Sequence, residues 1–107
     1  MTDLRTPDAD HFVYVLRCGD DTFYTGYTTD VERRVREHDA GEGAKYTRGR
    51  TPVRLVHVEG FDSQSAAMSR EYEIKQRSRA AKKRLFDEGG VPAALDLPAS
   101  LLADDAH

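Results

Sequence analysis

Two short runs rich in β-branched and aromatic residues, HFVYVLRC at 11–18 and FYTGYTT at 23–29, are separated by the turn sequence GDDT. That pattern predicts a β-hairpin, and it limits the fold more than any other feature because everything after it must be arranged around a sheet. Closed by those four residues, the hairpin would put Tyr14 and Tyr24 on opposite faces, since facing residues then sum to an odd number. The next segment, TDVERRVREHDAG, has Thr29 and Glu32 at capping-box spacing, an apolar stripe of Val31 and Val35, and Gly41 as a stop. It reads as a helix. A glycine-rich basic loop, GEGAKYTRGRTP, leads to VRLVHVEGF, where Val53, Leu55, Val56 and Val58 predict a largely buried third strand. DSQSAAMSREYEIKQRS, with Asp62 or Ser63 as N-cap, predicts a second helix, and RAAKKRLF a third. The order β-β-α-β-α-(α) is an α/β (α+β) arrangement: a small antiparallel sheet covered by helices.

The chain has 107 residues, enough for one domain. The folded unit is expected over 11–87, with flexible ends at 1–10 and 88–107, the second holding a Gly pair, two prolines and clustered acids. No apolar run reaches membrane-spanning length and the first residues lack the apolar centre of a signal peptide, so the expected location is the cytoplasm, with no membrane partner. Cys18 is the single cysteine, which removes an internal disulfide and disfavours a thiolate zinc site. In an apolar strand it reads as a small core residue.

The formal net charge of −3 conceals an asymmetry. Residues 1–30 sum to −4, residues 31–86 to +6 and residues 87–107 to −5. A basic middle between acidic ends can hide a nucleic-acid-binding face, although a solvated surface of mixed sign gives the same totals. Arginine outnumbers lysine twelve to four and Asp outnumbers Glu twelve to seven, a composition that points to a salt-adapted host.

On the first predicted helix, Arg34 and His38 border the Val31–Val35 stripe while Arg33 and Arg36 point toward solvent. On the second, Ala67, Met68 and Ile74 define the inward face, and Glu71 falls among them. A carboxylate in an apolar stripe needs a compensating partner. An i,i+4 pair with Lys75 is the structural explanation for Glu71. Arg34 could equally cover the core edge with its stem, and Tyr14, Tyr24 and Tyr27 are ordinary strand residues. Taken together, however, tyrosine, arginine and glutamate suit phosphodiester hydrolysis, which needs a group to activate water, a cation for the developing charge and a divalent metal on a hard oxygen.

The ordered set VYV at 13–15, YTG at 24–26, Arg34, His38 and Glu71 resembles the GIY-YIG nuclease superfamily over residues 12 to 86, in its small stand-alone branch. The resemblance implies a central three-stranded antiparallel sheet with flanking helices. It also implies that Tyr14 and Tyr24 line an active site, one of them deprotonating or positioning water. Arg34 would stabilise the pentacovalent phosphate and could lower a tyrosine pKa from its reference near 10. His38 would assist by hydrogen bonding or proton transfer, and Glu71 would ligate one Mg2+ or Mn2+ ion. Gly26 would allow close approach of backbone or substrate. Tyr27 and Arg33 fall outside this set. Two positions depart from the family pattern: Phe12 stands where its name has Gly, and the chain contains no Asn.

Lys45, Arg48, Arg50 and Arg54 lie in an acid-free stretch with Tyr46, and a second such stretch runs from Lys75 over 74–86. These suit phosphate contacts, and neither contains a base-reading module. Lys45, Arg48, Arg50 and Lys75, with Gly26, are the expected nucleic-acid contacts. The expected function is therefore metal-dependent, structure-selective cleavage of DNA in repair or recombination, with RNA also open and a monomer favoured. The alternative is a nuclease-derived fold that binds nucleic acid without cutting it.

Overall fold

A computed structural model describes residues 9–92 and 95–103. Three strands, β1 (His11–Arg17), β2 (Phe23–Thr28) and β3 (Arg54–Phe61), form an antiparallel sheet in the order β2-β1-β3. Helix α1 (Val31–Asp39) follows β2, and α2 (Gln64–Lys75) and α3 (Arg79–Glu88) follow β3. The α/β architecture is the one expected from the sequence.

The hairpin register differs from the simplest reading, and the difference makes the site possible. Arg17 pairs with Phe23, so Cys18 joins the turn, donating its N–H to the Thr22 carbonyl at 2.8 Å. Asp21 takes φ 67, a left-handed conformation that Asp tolerates, and Asp20 accepts the Thr22 hydroxyl at 2.6 Å. Facing residues therefore sum to an even number. Tyr14 stands opposite Gly26 and Leu16 opposite Tyr24, which puts both tyrosines on one face.

That face carries Phe12, Tyr14 and Leu16 from β1 and is covered by Val31 and Val35 of α1. The opposite face carries Val13 and Val15, covered by Ala67 and Ile74 of α2. Phe86 of α3 packs edge-on against Phe23, ring centres 5.0 Å apart. A register shift between Val15 and Leu16 leaves Val56 unpaired on β3, so Leu55 and Val58 both reach the Tyr14 face while Val56 packs on the other. This bulge explains why the third strand reads as continuously apolar. The first helix is capped by Asp30 rather than Thr29, its carboxylate accepting the Arg33 N–H at 3.1 Å. Ser63 caps α2. Met68, expected inward, faces solvent.

The expected flexible ends lie partly outside the described residues, at 1–8, 93–94 and 104–107. Residues 95–103, however, do not behave as a loose tail. Leu95, Leu97 and Leu102 pack on the Tyr14-side core, and Leu101 is buried in it. Leu102 bridges Leu55 in parallel, and the Ala103 N–H donates to the Leu55 carbonyl at 2.8 Å. The acidic composition hid these leucines, which supply apolar cover and pair part of the outer edge of β3. Leu101→Ala is expected to cost about 2–4 kcal/mol in urea denaturation, as for a buried leucine. A loss below about 0.5 kcal/mol, the range of surface substitutions, would mean that this segment is not part of the core.

Candidate active site

Tyr14 is 1% exposed, and its ring crosses β2 at the one place where a side chain is missing. A Cβ on Gly26 would lie 2.5 Å from the Tyr14 hydroxyl oxygen, so the close approach expected at Gly26 is made by Tyr14 itself. The hydroxyl meets His38 Nε2 at 2.8 Å. His38 is fully buried; its Nδ1 lies 2.8 Å from Thr47 Oγ1 and 3.3 Å from the Ala44 backbone nitrogen. Thr47 Oγ1 in turn donates to the Ala44 carbonyl at 2.9 Å. Gly43 lies against the imidazole so closely that any Cβ there would collide with Nδ1. Thr47 and Gly43 were absent from the sequence-based site. Both sit in what reads as a polar loop, and their only signal was position within the acid-free stretch.

Tyr24 is partly exposed, and its ring centre lies 6.3 Å from that of Tyr14 and 5.2 Å from that of His38. Tyr46, from the 3-10 turn Lys45–Thr47, stacks on Tyr24 with ring centres 5.8 Å apart. Arg50 lies 4.4 Å over the Tyr46 ring and also pairs with Asp20, so this expected nucleic-acid contact is already engaged within the chain. Lys45 and Arg48 are exposed, and neither forms an ion pair with another described residue. Arg54 binds Asp39 at 3.3 Å.

Arg34 bonds Glu37 at 3.0 Å and also acts on the Tyr14 hydroxyl. Burial works against its charge, but the hydrogen bonds to Glu37 and Tyr14 outweigh it and hold the guanidinium firmly protonated. The idea that Arg34 could acidify a tyrosine is only half met. Burial, then the neighbouring Tyr24, drive the Tyr14 pKa well above the ordinary phenol range despite the opposing pull of Arg34. Burial, with Arg34 beside it, lowers the His38 pKa to about 4, so the imidazole is neutral at pH 7. The interior of the site is thus a neutral hydrogen-bonded pair, with charge at its edge. Cys18 is buried and its thiol is pushed up by that burial, in keeping with a core role.

Glu71 lies on α2, and its negative charge adds the smallest of the upward pushes on the Tyr14 pKa. Its ion-pair partner is Lys75 at 3.3 Å, one turn away, with side chains 14% and 49% exposed respectively. Such an i,i+4 pair contributes only about 0.3–0.5 kcal/mol, too little to lock the carboxylate away from another cation. Among the described residues no three His, Cys, Asp or Glu side chains gather into a metal cage. Mg2+ and Mn2+ commonly take one or two protein carboxylates and leave the remaining positions to water and phosphate. The donor set therefore fits one hard divalent ion on Glu71.

The neighbouring residue ties α2 to the sheet. Arg70 binds Glu59 of β3 in a fork, Nε to Oε1 at 2.7 Å and Nη2 to Oε2 at 2.9 Å, and also pairs with Glu73. His57 Nε2 meets Glu59 Oε2 at 2.7 Å. Burial would raise the Glu59 pKa, but the bonds from His57 and Arg70 outweigh it and bring it down to about 2. Sequence reasoning passed over this network because its members lie on separate elements and only the fold brings them together.

The two shifted groups set an order of acid loss. The unfolded state binds protons at His38 from about pH 6.5 downward and the folded state only near 4, so this part of stability is lost as pH falls through that window. Glu59 contributes above its unfolded value of 4.5 and loses its contribution toward about 2. His38→Gln is therefore expected to flatten the fall in urea stability between pH 6.5 and 4, a fall to which His38 contributes up to about 3 kcal/mol. An unchanged pH slope in the variant would contradict the burial of a neutral His38.

Residues 10–84 match the GIY-YIG catalytic domain family. A UPF0213 protein of Natronomonas pharaonis is 76% identical over 83 residues, covering 77% of this chain and 98% of its own length. Another, of Halobacterium salinarum, is 71% identical over 76 residues, covering 71% and 99%. The solution NMR structure of a UPF0213 protein from Bacillus halodurans is 50% identical, covers 84% of this chain and 96% of its own, and superposes with a TM-score of 0.52. With the family match spanning most of its length, the chain belongs to the GIY-YIG catalytic domain family.

Proposed function

We propose that the chain is a divalent-metal-dependent endonuclease that hydrolyses phosphodiester bonds in DNA, selecting structure rather than sequence, in repair or recombination. The observation that supports this best is the convergence on one hydroxyl. Tyr14 Oη meets neutral His38 Nε2 at 2.8 Å while the charges of Arg34 and Glu71 both act on it. Lys45 and Arg48 add exposed positive charge on the adjoining loop, which favours a polyanionic substrate.

The reaction is hydrolysis: a water oxygen bonds to phosphorus, the P–O bond to one sugar breaks, and the leaving alkoxide takes up a proton. Because the phenol of Tyr14 stays protonated, it works as one link of a relay. Water gives its proton to Tyr14 Oη as Tyr14 gives its own to His38 Nε2. Tyr24, the more exposed tyrosine, would hold the water. Arg34 opposes the negative charge that builds on the phosphoryl oxygens. Glu71 would hold the Mg2+ or Mn2+ ion, which supplies Lewis-acid stabilisation when bound.

One observation favours the binding-only reading: the direct partner of Glu71 is Lys75, as in an ordinary structural pair. Activity separates the two readings. With Mg2+ or Mn2+ the protein is expected to nick supercoiled plasmid or branched DNA, and Glu71→Gln or Arg34→Ala to reduce the rate by at least about 100-fold. Equal cutting by wild type and purified variants would refute the assignment. Salt-sensitive DNA binding without metal-dependent nicking would establish the alternative.

A further inference from the structure

The 3-10 turn Lys45–Thr47 presents three consecutive residues to three different tasks. Lys45 is exposed, Tyr46 stacks on Tyr24, and Thr47 is fully buried against His38. We propose that Thr47 is a positioning residue: its hydroxyl, held between the Ala44 carbonyl and His38 Nδ1, fixes the imidazole so that Nε2 is the bare nitrogen facing Tyr14. This inference rests on the relay described above and names the group that gives it direction.

The argument is proton counting. A threonine hydroxyl has one proton to give. Its oxygen lies 2.9 Å from the Ala44 carbonyl oxygen, an approach between two acceptors that calls for a proton between them. With that proton committed, the 2.8 Å contact between Oγ1 and Nδ1 is satisfied only if Nδ1 carries hydrogen and donates. Neutral His38 then has no hydrogen on Nε2, which accepts from Tyr14 at 2.8 Å. The Ala44 N–H approaches Nδ1 at 3.3 Å and favours the opposite tautomer, but this is the longest contact of the set. Gly43 fixes the ring from the side by leaving no space between the backbone and Nδ1. The chain of donors runs from Tyr14 through His38 and Thr47 to the Ala44 carbonyl. The loop that offers Lys45 to substrate therefore also sets the acceptor of the Tyr14 proton.

Two measurements test this, and they fail independently. In the full chain without substrate, 15N NMR of the His38 ring should show the tautomer with hydrogen on Nδ1, and Thr47→Val should shift it toward Nε2–H. The tautomer result does not depend on whether the protein cuts DNA. In Mg2+-supported plasmid nicking, Thr47→Val should lower kcat by about 10- to 100-fold with KM within about threefold of wild type, and Thr47→Ser should restore kcat. An Nε2–H tautomer in the wild type would overturn the proposal. So would equal kcat losses in the Val and Ser variants, which would mark Thr47 as packing alone. Wild-type protein that shows the expected tautomer yet cuts no DNA would leave the position of Thr47 standing and refute the nuclease reading instead.

Discussion

The site depends on the passage of the Tyr14 ring across β2, which is open only because Gly26 stands opposite it in the register. That passage carries the phenol from the buried centre of β1 to His38 on α1, and the hydrogen bond between them joins sheet to helix inside the core. A one-residue change in the turn would reverse every side chain of β2 and send Tyr24 to the α2 face. The even register is therefore what the proposed site requires, and the turn at Cys18–Thr22, with Asp21 left-handed, supplies it.

Electrostatics explains the division of labour around that bond. The groups taken deepest, Tyr14 and His38, are the ones that can remain neutral, since burying an unpaired charge costs several kcal/mol. Charged groups are paired: the partly exposed Arg34 bonds Glu37, and the more deeply set Glu71 is offset by Lys75. Glu59, the most buried carboxylate among the described residues, is matched by the fork of Arg70 and by His57, on the other side of the sheet. Arg70 and Glu71 are adjacent in sequence. The clamp that holds α2 against β3 thus also fixes where Glu71 can reach.

Much of this was legible in the residues. The hairpin, the helix after it, the apolar third strand and the positions of Arg34, His38 and Glu71 all follow from local pattern and helix spacing. What was not legible depended on nonlocal geometry. The register turned on whether Cys18 belonged to the strand or to the turn, which composition does not decide. Leu95, Leu97, Leu101 and Leu102 were masked by neighbouring acids and prolines, and only their contact with Leu55 and its neighbours reveals a core segment. Met68 fell on the predicted inward face because the α2 stripe is narrow; only Ala67 and Ile74 are buried there. Thr47 and Gly43 carry no catalytic signature, and their importance comes from standing beside His38.

The central claim is that Tyr14, Tyr24, Arg34, His38 and Glu71 form one hydrolytic centre served by a single divalent ion. Titration of the isotope-labelled protein with substoichiometric Mn2+, read by paramagnetic broadening of assigned resonances, tests it most directly. The account requires broadening centred on Glu71 that extends to the side chains of Tyr14, Tyr24 and His38. It also requires that Glu71→Gln remove the broadening. Broadening centred instead on the Asp20–Asp21 turn or on Asp30, with the tyrosine and His38 signals untouched, would contradict the account.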